Sequence, residues 1–151
     1  MTQEQRQHTL AVLSKSKYQD IVTLWQTMNI HVGYHCLKKP EVGMVMVKAQ
    51  AGGAGQPFNM GEMTVTRTVV RLDPDLQGNQ PLGFGYTAGR DVKKSELIAV
   101  IDACCQHAQY AQNIQEHLVT PLSDQLNTQH QQHEQTVDRT KVNFFTMVRG
   151  E

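Results

Sequence analysis

Cysteine is scarce in this chain: Cys36, Cys104 and Cys105 make three in 151 residues, an odd number with no C-x-x-C spacing. That argues against a disulfide framework and against a zinc ribbon. Net charge is also missing, because 14 Lys and Arg balance 14 Asp and Glu. No global field therefore draws the chain to nucleic acid or to an anionic membrane. No run approaches the ~18 consecutive apolar residues of a membrane span. The start, MTQEQRQHTLAVL, has acid early and only a short apolar run, unlike a secretory or transit peptide. These absences predict a cytoplasmic protein with no nucleic-acid and no membrane partner.

Catalytic signatures are lacking too. His130-x-x-His133-Glu134 does not have the H-E-x-x-H order. His31 and His35 share a strand face, but four residues at ~3.3 Å each hold them about 13 Å apart, too far to chelate one ion. No metal site and no cofactor of its own is expected. There is no G-x-S-x-G elbow and no Cys/His nucleophile pattern, so the catalytic residues are unknown at this stage. Adjacent Cys104 and Cys105 lie in an apolar helical run and read as small buried hydrophobes.

What is present has the pattern of one α+β domain over residues 1–151, about the size of a typical single core. Leu10 and Leu13, then Ile21, Leu24, Trp25 and Met28, have the spacing of two short amphipathic helices. Strands are predicted over residues 31–37 and 43–49, joined by a turn at Lys38-Lys39-Pro40-Glu41-Val42. The second of these is apolar on both faces and reads as a central, covered strand. AGGAGQPFNMGE reads as a long mobile connection. Strands over residues 63–72 and 82–88 complete an expected four-stranded antiparallel sheet. A long helix is predicted from Lys93, kinked by Pro121 near residues 117–120. The segment around residues 129–140 is either a solvated helix or a face that needs a partner.

Two groups carry candidate chemistry. Gly52, Gly53 and Gly55 would let backbone amides approach a phosphate, although GGAG lacks the Lys and Ser/Thr of a P-loop. Arg67 and Arg71 project from one strand face, and Gly89-Arg90-Asp91 leads into a helix with Lys93 and Lys94 in its first turn. Those guanidinium groups could reach an anion, or they could form ordinary ion pairs. Asp91 or Ser95 is placed to cap the helix. The end of the chain, NFFTMVRGE, puts Phe144, Phe145, Met147, Val148 and Arg149 where chains usually fray. Fixing nine backbone residues costs more than burying four side chains returns, so the tail needs a prepared surface. Residues 137–151 are expected to dock on a partner.

The runs AGGAGQPFNMGEMTVTRTVVRL and LGFGYTAGRD, with IDA in the helix behind them, and the ending VNFFTMVRG resemble the PhnG subunit family of the carbon-phosphorus lyase core complex. The resemblance covers most of the chain in the same order. It implies a non-autonomous subunit in organophosphonate catabolism, working with PhnH, PhnI and PhnJ and with the ATPase-like PhnL and PhnK. The implied reaction of the complex displaces adenine from MgATP with a phosphonate such as methylphosphonate, giving a ribose 1-phosphonate 5-triphosphate. MgATP would be a substrate of the complex. The resemblance carries no catalytic residue across. The leading expectation is a scaffold for PhnI, PhnJ and PhnH. Its rival is a subunit that itself supplies the phosphonate or nucleotide pocket from Arg67, Arg71, Arg90 and the glycine loop.

Overall fold

A computed structural model of the chain describes residues 1–75 and 78–139. The elements run α1 (Gln3–Lys15), α2 (Tyr18–Thr27), β1 (Tyr34–Gln50), β2 (Pro57–Leu72), β3 (Leu82–Ala88), α3 (Val92–Cys104), α4 (Ala108–Ile114) and α5 (Thr120–Arg139). The sheet is antiparallel with spatial order β1-β2-β3.

It has three strands among the described residues, and the expectation of four is corrected here. The two predicted N-terminal strands are one continuous β1, with no turn at Lys38–Val42. Register shifts between Cys36 and Lys38 and between Lys38 and Glu41 leave Lys39 and Pro40 outside the Cα pairing. A proline is tolerated at such a bulge on an edge strand, where its missing N–H breaks no second ladder. β1 is therefore an edge strand and not the covered central strand its composition suggested. The glycine-rich segment is also shorter than expected. Only residues 51–56 form the connection, while Pro57–Gly61 already belong to β2.

One sheet face is closed by α3. Thr66, Thr68, Val70 and Leu72 of β2 point to it and are buried. In β3, Gly83 and Gly85 permit the approach: a Cβ on Gly83 would lie 1.8 Å from the Ala99 carbonyl oxygen, and one on Gly85 1.8 Å from that of Ser95. The Ser95 and Thr68 hydroxyls meet at 2.8 Å inside this contact, and Ser95 Oγ also donates to the Gly85 carbonyl at 3.1 Å. Residues 98–104 of α3 are all buried, as expected for a helix apolar on every side and enclosed by other elements. Behind it pack Val12 and Leu13 of α1, Ile21 of α2 and Ile114, Leu118, Val119 and Leu122 of the C-terminal helices.

The helix predicted from Lys93 is interrupted once more than expected. α3 ends at Cys104, and tight turns at Gln106 and His107 lead into α4. Gln106 Nε2 donates to the Leu82 carbonyl at 2.6 Å and to the Asp102 carbonyl at 3.2 Å, so a contact to β3 holds a break that no Gly or Pro announces. The irregularity at Pro121 is present as a π-helical stretch, Gln115–Val119. Proline cannot donate to, and clashes with, the carbonyl four residues earlier. The wider turn accommodates this, and Thr120 donates through both its amide and its hydroxyl to the Gln115 carbonyl.

Candidate functional site

The sheet face opposite α3 is open. Cross-strand pairing sets its rows: His35, Arg71 and Leu82; Lys38, Val69 and Phe84; Glu41, Arg67 and Tyr86. Arg67 is committed within this face. Its Nε donates to Glu41 Oε1, and Lys38 Nζ lies 2.9 Å from the same oxygen. Lys38, and next Arg67, hold the Glu41 carboxyl below the usual carboxylate range, while Glu41 raises Arg67. Arg71, exposed on the same face, has no ion pair among the described residues. Its cross-strand neighbour His35 is 3.1 Å from Asp73.

Arg90 and Asp91 lie in the turn between β3 and α3, which Gly89 makes with φ +86°. Asp91 is the helix cap: its Oδ1 accepts from the Lys94 amide at 2.9 Å. Lys94 is committed too, its Nζ donating to the Ser14 carbonyl at 2.7 Å, and burial lowers its pKa. Arg90 is exposed without an ion pair among the described residues.

Gly52 and Gly55 sit at the far end of the β1–β2 hairpin. Gly52 adopts φ +59°, and a Cβ on Gly55 would come within 2.6 Å of the Ala51 carbonyl oxygen. The same one-turn segment, Ala51–Gly53, includes Gly53. Ten strand residues at ~3.3 Å each separate this tip from Arg67 by about 30 Å. Arg67 and Arg71 are about 13 Å apart on the same scale. The structure thus spreads the glycine loop, Arg67, Arg71 and Arg90 along the sheet and does not gather them around one point. Phe144, Phe145, Met147, Val148 and Arg149 lie outside the described residues.

Two features escaped the sequence reading. Asp102, fully buried in α3, accepts from Arg6 Nε at 2.8 Å, from Arg6 Nη2 at 2.6 Å and from the Phe84 amide at 2.9 Å. The Arg6 guanidinium also lies 5.7 Å from the Phe84 ring centroid. This node ties α1, α3 and the outer edge of β3 together. The available signal was an aspartate inside the apolar run ELIAVIDACC, a position that only a paired carboxylate can occupy. The second is a groove of about 610 Å³ between α2, α3 and residues 30–34, with Trp25, Ile30 and Leu97 on its walls and Lys93 on its rim. There Tyr34 donates to Glu96 Oε1 at 2.8 Å, and Cys36 Sγ lies 3.7 Å from the same oxygen. Burial first, then Glu96, pushes the Tyr34 phenol up to about 12.

Cys104 and Cys105 are buried free thiols, both pushed by burial to about 12. They are inert core residues, since the thiolate is the reactive form. No group of three or more His, Cys, Asp and Glu able to hold a metal occurs among the described residues. No helix there is long and apolar enough to cross a membrane.

Comparison with known proteins gives the family. A family model described as phosphonate metabolism protein PhnG matches residues 4–150. An alpha-D-ribose 1-methylphosphonate 5-triphosphate synthase subunit PhnG from Rhizobium meliloti (strain 1021) is 32% identical over 147 residues, covering 97% of this chain and 90% of the relative.

Proposed function

This chain belongs to the PhnG family, and from that premise we propose that it is a structural subunit of an alpha-D-ribose 1-methylphosphonate 5-triphosphate synthase. In this reading it works in the cytoplasm as part of a hetero-oligomer for organophosphonate catabolism. The complex, not this chain alone, takes MgATP and methylphosphonate and displaces adenine. PhnI, PhnJ and PhnH are the proposed neighbours, with PhnK and PhnL as further ones, and residues 137–151 with Phe144, Phe145, Met147, Val148 and Arg149 form a proposed docking tail.

The observation that carries the structural role is the state of the cationic side chains. A triphosphate needs several converging cationic donors. Here Arg67 is engaged by Glu41 and Lys94 by Ser14, while Arg71 lies on β2 and Arg90 in the turn between β3 and α3. Calorimetry with MgATP and methylphosphonate tests the reading. The isolated chain is expected to give no heat of binding, and adenine release by the reconstituted complex is expected to require the chain yet survive Arg71→Ala and Arg90→Ala. Binding by the isolated chain that disappears in those variants would instead assign the pocket to this subunit.

A further inference from the structure

Beyond residue 64 the hairpin formed by β1 and β2 leaves the body of the protein. β3 pairs with β2 only from Val65 to Arg71, because the chain turns at Gly89, whose amide donates to the Thr64 carbonyl at 2.9 Å. The strands nevertheless continue, from Gly43 to Gln50 and back from Pro57 to Thr64. At ~3.3 Å per residue this two-stranded ribbon extends about 25 Å without a third strand.

Its composition is wrong for a solvated ribbon. Met44 and Met46 point to the side on which α3 lies, and Val45, Val47 and Phe58 point to the other, joined by Met63 opposite Val45. Met60 falls in the register shift beside Val47 and Lys48. Six of these large side chains are more than two-fifths exposed, Met44 at 68% and Met60 at 66%. A two-stranded hairpin alone is marginal in water, and an alternating strand ordinarily turns one polar face outward. Here the face away from α3 is apolar throughout, with Val45, Met63, Val47, Ala49 and Phe58, while the other mixes Met44 and Met46 with their cross-strand partners Thr64 and Glu62 and with Lys48 opposite Asn59. Lys48 and Glu62 are the only charged residues between Gly43 and Thr64.

We propose that this ribbon is an insertion arm that enters a mainly apolar cleft in a different polypeptide, which closes on both ribbon faces and meets Lys48 and Glu62 with polar groups. The inference rests on the subunit reading above and adds the surface through which the chain is held. Two-sidedness selects the occupant. A flat partner surface would cover one face only, and a second copy paired along the free β1 edge would lengthen the sheet and leave both faces in water. At roughly 100 Å² per side chain, the six exposed residues offer on the order of 600 Å², about three-quarters of the ~800 Å² each partner contributes to a standard stable interface. Methionines suit such an insertion, being flexible enough to fit a preformed wall. Arg90, exposed where the ribbon leaves the body, calls for a carboxylate at the mouth of the cleft.

The test is co-expression of the chain with the other synthase subunits of its own organism, followed by size-exclusion chromatography. One variant, Met44→Lys with Met46→Lys, charges one face, and another, Val45→Lys with Met63→Lys, charges the other. Each is expected to lower recovery of the chain in the complex at least tenfold. Gln131→Lys with Gln132→Lys on exposed α5 is the control and keeps wild-type recovery. Hydrogen exchange of the wild-type ribbon amides, free and in the complex, guards against misfolded variants: protection on assembly is expected. Wild-type recovery of either charged variant, or exchange unchanged by assembly, overturns the arm while leaving the subunit reading intact. A wild-type chain that never joins the complex overturns the subunit reading itself and the arm with it. A homodimer in sedimentation that Met44→Lys with Met46→Lys dissolves overturns the choice of a different polypeptide.

Discussion

Gly85 shows how little room the sheet leaves for α3. A methyl group there would meet the Ser95 carbonyl oxygen at 1.8 Å and the Ala99 amide nitrogen at 2.9 Å. These are backbone atoms that cannot swing aside, so Gly85→Ala is expected to cost about 3 kcal/mol in urea unfolding, the upper end for overpacking. Asp102 is the electrostatic counterpart. Asp102→Ala leaves the Phe84 amide and the part-exposed Arg6 without their acceptor, and losing such a buried acceptor costs about 1–3 kcal/mol. Cys104 and Cys105 add a pH dependence. Their folded pKa values, about 12, lie above the ordinary value of 9.0, so the unfolded chain releases these protons first. Their contribution to stability is complete below pH 9 and is lost as pH rises from there towards 12. Thermal melts between pH 8 and 11 should fall in the wild type and flatten in Cys104→Ala with Cys105→Ala. Neither cysteine should react with an alkylating reagent at pH 8 before unfolding.

At the scale of elements, the sheet divides into a braced part and a bare part. Residues 65–71 of β2 lie between β1 and β3 and carry α3, whereas residues 57–64 pair with β1 alone. Local opening follows that difference in support. Amides of Val45, Val47 and Glu62 in the isolated chain should exchange at least tenfold faster than those of Thr68 and Val70. The outer edges also differ: Asp102 accepts from the Phe84 amide and Gln106 donates to the Leu82 carbonyl, so β3 is blocked against further strand pairing. β1 has no such cover among the described residues beyond its bulges. Much of this layout was legible in the sequence. Strand pattern located β3 and the core half of β2, periodicity located α1 and α2, and Pro121 marked the irregular turn before α5. The bulge at Lys39 and Pro40 was not legible, because a proline between apolar runs has the same local pattern whether it ends a strand or sits outside the ladder of an edge strand.

For the whole molecule, charge balance and the bare ribbon act together. With equal numbers of acids and bases and an isoelectric point near 7.1, the isolated chain has little self-repulsion at neutral pH to offset its exposed methionines and valines. Its solubility should be lowest near pH 7, and Met44→Lys with Met46→Lys should raise it severalfold in precipitation assays. The candidate site is the part least legible beforehand. Residue types singled out Arg67, Arg71, Arg90 and the glycines as candidates to meet an anion or a partner, but their separation is set by strand register, which no short segment encodes.

By itself the sequence determined the family, the α+β class, the inertness of the paired cysteines and the capping role open to Asp91. These depend on order along the chain and on interactions within a few residues. Only the tertiary structure decided that β1 lies at an edge, that Arg67 is matched to Glu41 and that Asp102 anchors Arg6. Each of those depends on which distant segment arrives alongside, and that is selected by burial of the whole core around α3.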